Sequence, residues 1–353
     1  MSHKKRVLLS GGGSGGHIIP NLAVASELVR HGAELLYIGS RARLEARLIT
    51  SRGIPFKSIF SGKLRRYFSW WNFIDPVFVI FGFFQAFYHV ARFRPDVVFV
   101  KGGFVSLPVA LAAFVLRRPI VLHESDSVMG LANRVTSRLA AKVCVAFPAL
   151  LKGKDKQSGK FIFTGNPVRA NLTGGDPQEG YRLTGFHPNR PILLVWGGSQ
   201  GAREINEMVE RHFHLLKRRF QIVHVTGAGK KTNIEDLSYR AFEYLEEELP
   251  PIYAITAYVV GRAGANSLYE LALTRKPNIL LPLQSSAHNH QVLNARFFEE
   301  AGASLVLSSP DKLPEILFAL DENKALQGQM EAALGKIARP GAALMIADIL
   351  LQF

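Results

Sequence analysis

An α/β protein of two doubly wound domains is predicted from three observations. Short, continuous aliphatic and β-branched runs alternate with helical stretches along all 353 residues, the pattern of parallel sheets covered on both faces. Twice, a strand-like run passes through a glycine-rich loop into a helix. Charge is also divided unevenly: residues 1–166 hold 24 Lys and Arg against 8 Asp and Glu, whereas residues 167–353 hold 19 against 20.

The strand-like runs are residues 7–9, 35–38, 97–100, 120–122, 143–147, 192–196, 222–225, 279–281 and 305–307. Between the first two, Leu22, Ala25 and Val29 recur at helical spacing, and Pro20 is placed for a first helical turn. The first domain opens with VLLSGGGSGGH at residues 7–17 and the second with ILLVWGGSQGA at residues 192–202. Residues 165–169 (GNPVR) close a strand, and the Gly-, Pro- and Asp-rich residues 174–191 read as a linker. A boundary near residue 167 follows, with two domains facing each other across a cleft and ligands at the carboxyl ends of the strands.

At 48% hydrophobic and 20% charged residues the chain can build substantial cores. The excess of positive charge belongs to the first half, which is expected to meet an anionic partner: nucleic acid, an acidic membrane surface or a phosphorylated substrate. A single cysteine, Cys144, excludes disulfides and Cys-based zinc sites. The basic start of the chain is followed by too short an apolar run for a signal peptide, so export is not expected. The nucleic-acid alternative lacks a recognisable binding motif.

Gly11, Gly13 and Gly16 match the dinucleotide fingerprint, in which glycines admit a diphosphate to backbone N–H groups at a helix N-terminus. That reading also requires an acidic residue after the second strand. Here the strand ends in YIGSR, and Arg41 would suit a 2′-phosphate, so an NADP-binding enzyme stays open. His17 follows the loop and is either a general base beside a bound diphosphate or an ordinary helix-start histidine. Residues 197–201 repeat the anion cradle in the second domain, as a transferase joining a nucleotide-linked donor to a phosphate-bearing acceptor needs. Residues 262–270 again lead a loop into a helix, with Glu270 able to accept two hydrogen bonds from a ribose diol or simply to cap its own helix. Asn289, Gln291 and Asn294 crowd amides into one turn. No Asp-x-Asp pair and no metal-ligand spacing occurs, which disfavours a chelated divalent cation.

Residues 70–93, WWNFIDPVFVIFGFFQAFYHVARF, stand apart. Their apolar stretch is too short to cross a bilayer comfortably. It is read either as a buried core helix or as a surface element dipping into lipid headgroups, with Lys63, Arg65, Arg66, Arg92 and Arg94 paired to anionic lipid.

Together these elements resemble the MurG family nearly end to end, through GGGSGGHIIPNLAVA (11–25), KGGFVSLP (101–108), LHES (122–125), GNPVR (165–169), GGSQGA (197–202), GRAGANSLYE (261–270) and NHQVLNA (289–295). The resemblance implies a GT-B fold: a Rossmann-like acceptor- and membrane-binding domain at 1–166, a UDP-sugar-binding domain at 167–340, and a helix at 341–353 returning to the first domain. It implies metal-independent, inverting transfer of N-acetylglucosamine from UDP-N-acetylglucosamine to lipid I, without a cofactor, at the cytoplasmic face of the membrane. Anionic lipid and other cell-wall synthesis proteins are its implied partners, and nucleic acid is not one. By the same resemblance Ser14, Gly15, Gly16 and His17 lie by the transferred sugar and acceptor diphosphate, and Glu124 is the second candidate base. Arg169 and Ser199 hold the UDP diphosphate, and Leu245 offers a main-chain contact to uracil. Ala265, Asn266, Ser267, Leu268, Tyr269 and Glu270 wrap the nucleotide, and Gln291 reaches the donor sugar. Asp126 stands where the family pattern commonly has Asn, so its contact must invert, involve a protonated carboxyl or go unused. A GT-B transferase with another lipid or small-molecule acceptor, and a non-enzymatic adaptor, are the remaining alternatives.

Overall fold

A computed structural model describes residues 4–12, 15–62, 71–154, 159–169, 171–198, 201–230, 232–284 and 289–353, without the side chains of residues 15, 44 and 71–76. Gly13, Ser14, Lys63, Arg65, Arg66, Trp70 and Ser199 therefore lie outside the described residues. The chain forms two compact units, Met1–Val168 with Pro340–Phe353, and Arg169–Arg339.

The first unit is built on seven parallel strands: β1 (Arg6–Ser10), β2 (Glu34–Gly39), β3 (Phe56–Ser58), β4 (Val97–Val100), β5 (Ile120–Glu124), β6 (Lys142–Val145) and β7 (Phe161–Phe163), in the order β3-β2-β1-β4-β5-β6-β7. Strand side chains alternate between faces, and β1 shows the result. Val7 and Leu9 pack with Val24 and Leu28 of α1 (Gly15–Arg30) and with Ile346, Ala347 and Leu350 of α13 (Ala342–Leu351). Leu8 points the other way, into a core shared with Ala86 and Val90 of α3 (Trp71–Phe93) and Val109 and Ala113 of α4 (Ser106–Val115). The order in which strands are added reverses between β1 and β4, so the loops leaving these parallel strands diverge at a ligand-binding switch point. The helices α2 (Arg43–Thr50) and α5 (Leu131–Leu139) complete this unit.

The second unit repeats the plan with β8 (Ile192–Trp196), β9 (Gln221–Val225), β10 (Tyr239–Phe242), β11 (Thr256–Gly261), β12 (Asn278–Leu280) and β13 (Leu305–Val306), ordered β10-β9-β8-β11-β12-β13 and all parallel. Its switch point lies between β8 and β11. Among the described residues, seven α-helices cover it: α6 (Pro177–Thr184), α7 (Arg203–Leu216), α8 (Leu249–Ile255), α9 (Ala265–Thr274), α10 (His290–Glu300), α11 (Leu313–Glu322) and α12 (Lys324–Ile337).

Two expectations are corrected. Residues 174–191 are not a plain linker, because Asp176 caps α6 by accepting from the Gln178 N–H, Pro177 fills the first helical position, and Gly185 closes the helix at φ 72°. Pro20 is not in a first turn either. The helix begins at Gly15, so Pro20 lies inside it and supplies no N–H to the ladder there.

In the glycine loop after β8, Gly197 and Gly201 have no room for side chains. Gly201 sits at φ 65°, and a Cβ there would overlap the Thr226 carbonyl. Gly201→Ala is therefore expected to destabilise the protein by about 1–3 kcal/mol, read as a lower denaturant midpoint. An unchanged midpoint would show that the loop relaxes freely.

Candidate functional site

In the first unit, the loops leaving β1, β4 and β5 gather polar groups over the carboxyl edge of the sheet. The loop after β1 rests on Tyr37, whose hydroxyl donates to the Gly11 carbonyl and accepts from Asn21 Nδ2 at 3.1 Å. Glu45, 1% exposed, backs the same loop and accepts from the Ser40 N–H at 3.2 Å. His17, in the first turn of α1, packs close to Gly103, and its Nδ1 is buried without a hydrogen-bond partner. Burial, with the Lys101 cation adding to it, pushes its pKa down to about 4, while Asp126 opposes the shift. The ring is thus neutral at pH 7.

Lys101 follows β4 and is 1% exposed. Its Nζ donates to His123 Nδ1 at 2.7 Å, to Asn166 Oδ1 at 3.1 Å and to Ser125 Oγ. That contact fixes the His123 tautomer, leaving Nε2–H to donate to the Gly165 carbonyl at 2.9 Å. Glu124, 4% exposed, accepts from the Asp126 N–H at 3.1 Å, the Gly130 N–H at 3.3 Å and Asn133 Nδ2 at 2.8 Å. Burial and then the Asp126 charge raise the Glu124 pKa, while its hydrogen bonds and Lys101 oppose them. Burial likewise lowers that of Lys101.

Of the residues expected in this unit, His17, Glu124 and Asp126 thus share one electrostatic environment centred on Lys101, with Gly15 and Gly16 opening α1 beside them. Lys101, Asn133 and Asn166 were not among the expected site residues. The available signal was a lysine at the end of the buried run VVFV, a charge where apolar side chains dominate.

In the second unit, the loops leaving β8 and β11 lead into α7 and α9. Neither Ala202 nor Gly264, the N-caps of α7 and α9, supplies a side-chain cap, so both helices present backbone donors and the positive ends of their dipoles. Arg262, at the end of β11, donates to the Leu281 carbonyl at 3.0 Å and pairs with Glu204 of α7 at 2.9 Å, latching the two loops. Glu270 lies inside α9 at 3% exposure. Its carboxylate is 3.8 Å from Arg169 Nη1, beyond hydrogen-bond length, and that nitrogen is buried with no hydrogen-bond partner. Burial raises the Glu270 pKa and the Arg169 cation opposes it. The buried Tyr253 hydroxyl faces the same pair.

The other expected residues divide by what they can offer. Asn266 and Ser267 are half-buried in the first turn of α9, whereas Ala265, Leu268 and Tyr269 turn into the core, Tyr269 against the Phe298 ring, so any ligand contact from these three is through the main chain. Leu245 is fully buried, which also leaves only its backbone. Gln291, in the first turn of α10, accepts from the Leu283 N–H at 3.1 Å, and Asn294 donates to the Ala263 carbonyl at 3.2 Å. Gln291 is thereby held at the carboxyl edge of β12, while Ser14 and Ser199 lie outside the described residues.

On α3, Ala86 and Val90 face the core while Ile80, Phe81, Phe84 and Tyr88 are more than half exposed. The helix therefore has one buried and one outward apolar face. Among the described residues no helix is long and apolar enough to cross a membrane.

Residues 7–145 match the glycosyltransferase family 28 N-terminal domain and residues 192–343 its C-terminal domain. A UDP-N-acetylglucosamine--N-acetylmuramyl-(pentapeptide) pyrophosphoryl-undecaprenol N-acetylglucosamine transferase of Clostridium botulinum (strain Langeland) is 44% identical over 310 residues, 87% of each chain. A protein of the same name from Clostridium kluyveri is 41% identical over 336 residues, 94% of each. Among solved structures, MurG of Acinetobacter baumannii superimposes with a TM-score of 0.74 at 24% identity, covering 99% of this chain and 100% of that one, which establishes a shared fold, GT-B.

Proposed function

Because this chain belongs to the MurG family, within glycosyltransferase family 28, we infer that it transfers N-acetylglucosamine from UDP-N-acetylglucosamine to lipid I, forming lipid II. The observation that carries the donor site is the buried Glu270 facing an Arg169 nitrogen that has no hydrogen-bond partner. A carboxylate suits a ribose diol, and a guanidinium with unused donors suits a diphosphate. Both lie in the unit whose two glycine-loop helices present their N-termini.

In this reading the acceptor's 4-hydroxyl attacks the anomeric carbon as UDP leaves from the opposite face, with inversion. Arg169, Ser199 and the α7 and α9 N-termini stabilise charge developing on the departing diphosphate. The Asn266 and Ser267 side chains and the main chain at Leu245, Ala265, Leu268 and Tyr269 line the nucleotide, and Gln291 reaches the sugar. In the first unit, the loop at Ser14, Gly15 and Gly16 receives the acceptor diphosphate. His17 takes the attacking proton, and Glu124 and Asp126 accept hydrogen bonds that orient the acceptor. As an ionised acceptor-only group, Asp126 meets a donor on the substrate.

The decisive experiment is transfer of labelled N-acetylglucosamine from its UDP donor to a lipid I analogue in EDTA. Turnover is expected. UDP-sugar binding without turnover would point to a different acceptor, and absence of binding would overturn the reading.

The net +16 charge of residues 1–166 and the outward face of α3 support docking of this unit on the anionic cytoplasmic face of the membrane. Phe81→Ser with Phe84→Ser is expected to reduce co-sedimentation with phosphatidylglycerol vesicles at least about tenfold, since each Phe forfeits roughly 1.5–3 kcal/mol of burial. Unchanged co-sedimentation would remove α3 from the docking surface.

A further inference from the structure

We propose that Lys230 is a catalytic residue of the donor site: its ammonium, carried on the turn after β9, contacts the diphosphate and balances the charge that UDP gains as it leaves. The inference rests on the function proposed above and deepens it by naming a cation for the departing group.

The turn that carries Lys230 is interlocked with the glycine loop after β8. The Thr226 carbonyl lies where a Cβ at Gly201 would stand. Asn206, in the first turn of α7, donates from Nδ2 to that carbonyl at 3.1 Å and accepts from His224 Nε2 at 3.1 Å, which ties the end of β9 to α7. Gly227 and Gly229, at φ 97° and 71°, then fold the chain back, and the Lys230 N–H donates to the Gly227 carbonyl at 3.1 Å. The side chain reaches the glycine loop, where its Nζ donates to the Gly201 carbonyl at 3.1 Å. Gly201 immediately precedes Ala202, the N-cap of α7. The ammonium thus stands at the end of the loop, beside a helix terminus suited to a diphosphate.

Three other cations at these loops each face a carboxylate: Arg169 faces Glu270 at 3.8 Å, Arg262 pairs with Glu204 at 2.9 Å and Arg203 with Glu207 at 2.6 Å. Each pair largely cancels its own charge toward a ligand. The contact of Lys230 with Gly201 is of another kind, an ammonium on a neutral carbonyl. In the transfer, the bond between the anomeric carbon and the β-phosphate oxygen breaks with its electron pair on that oxygen. The acceptor's 4-hydroxyl oxygen bonds the same carbon, and its proton passes to the base. The diphosphate therefore leaves with one more negative charge than it held in the donor. A cation within reach stabilises that transition state more than the ground state. With three donors on a flexible stem, the ammonium can keep its bond to Gly201 and turn another to a phosphate oxygen.

The test compares wild-type protein with Lys230→Arg, Lys230→Gln and Lys230→Met. Arg keeps the charge, Gln keeps an N–H donor for the Gly201 carbonyl without the charge, and Met keeps neither. Both neutral variants are expected to lose about 10–100-fold in kcat, the scale of a hydrogen bond to a charged group, with a smaller rise in donor KM. By titration calorimetry their affinity for UDP should fall about tenfold, whereas that for uridine, which lacks the phosphates, should stay within about twofold. The Arg variant should remain within about threefold of wild type throughout.

Wild-type kcat in Lys230→Gln overturns the proposal, because the bond to Gly201 would then be the whole role of the side chain. So does an equal loss of UDP and uridine affinity, a loss in Lys230→Arg as large as in Lys230→Met, or misfolding of both neutral variants by circular dichroism. Wild-type protein that binds UDP through the Lys230 charge yet transfers no sugar to a lipid I analogue would instead refute the acceptor assigned above and leave the diphosphate contact standing.

Discussion

Replacing His17 with alanine is expected to lower kcat by about 10²–10³-fold, the scale of a positioned general base. The KM for UDP-N-acetylglucosamine should stay within about twofold, because the donor groups belong to the other unit. The pH dependence offers a second check with a defined sign. In the free protein His17 is held down to about 4, and a base loses activity as pH falls through its pKa. An acceptor diphosphate at the loop would favour the protonated ring and raise that value. The limb contributed by His17 should consequently lie at higher pH in kcat than in kcat/KM. Full turnover in His17→Ala with weakened donor binding would remove the histidine from the proton transfer.

Glu270→Ala is expected to raise the KM for UDP-N-acetylglucosamine about 10–100-fold with a smaller effect on kcat. A hydrogen bond to a charged group is worth about 1.5–3 kcal/mol, and the ribose contact is made equally in ground and transition states. Glu270→Gln, which retains one acceptor oxygen, should fall between. Steady-state kinetics with varied donor tests this, and thermal unfolding in the absence of ligand guards against simple destabilisation. Because the Glu270 side chain is buried and faces Arg169 at 3.8 Å, loss of stability without loss of donor affinity would make the pair structural.

The parallel sheets were legible because strands buried on both faces leave unbroken apolar runs, and the strands nearest each switch point, β1, β4 and β8, are of this kind. The peripheral β3 and β10 were not, and β7 was marked only by the turn that closes it. They are three or four residues long and partly exposed, so their side chains carry little period-two signal. Central β11 was missed for another reason: α8 runs into it without a break, and an apolar stretch from Leu249 to Val260 does not reveal where helix becomes strand.

Within the site, glycine spacing located both loops, since close backbone approach demands glycine at specific places. The buried polar connections of Lys101, Asn133 and Asn166 depend on residues 22 to 65 positions apart or on a neighbouring helix. Such contacts leave no local pattern to find.

The packing of α13 against α1 has a consequence for the order in which this protein can be made. Ile346, Ala347, Ile349 and Leu350 close the core that holds Val7, Leu9, Val24 and Leu28, but they are translated only after the entire second unit. Residues 169–339 can complete their own core as a contiguous stretch, whereas the earlier-born unit must wait with the part of one sheet face that α13 covers still exposed. The second unit is thus expected to reach its native state first, and the nascent first unit to be the natural client of a chaperone.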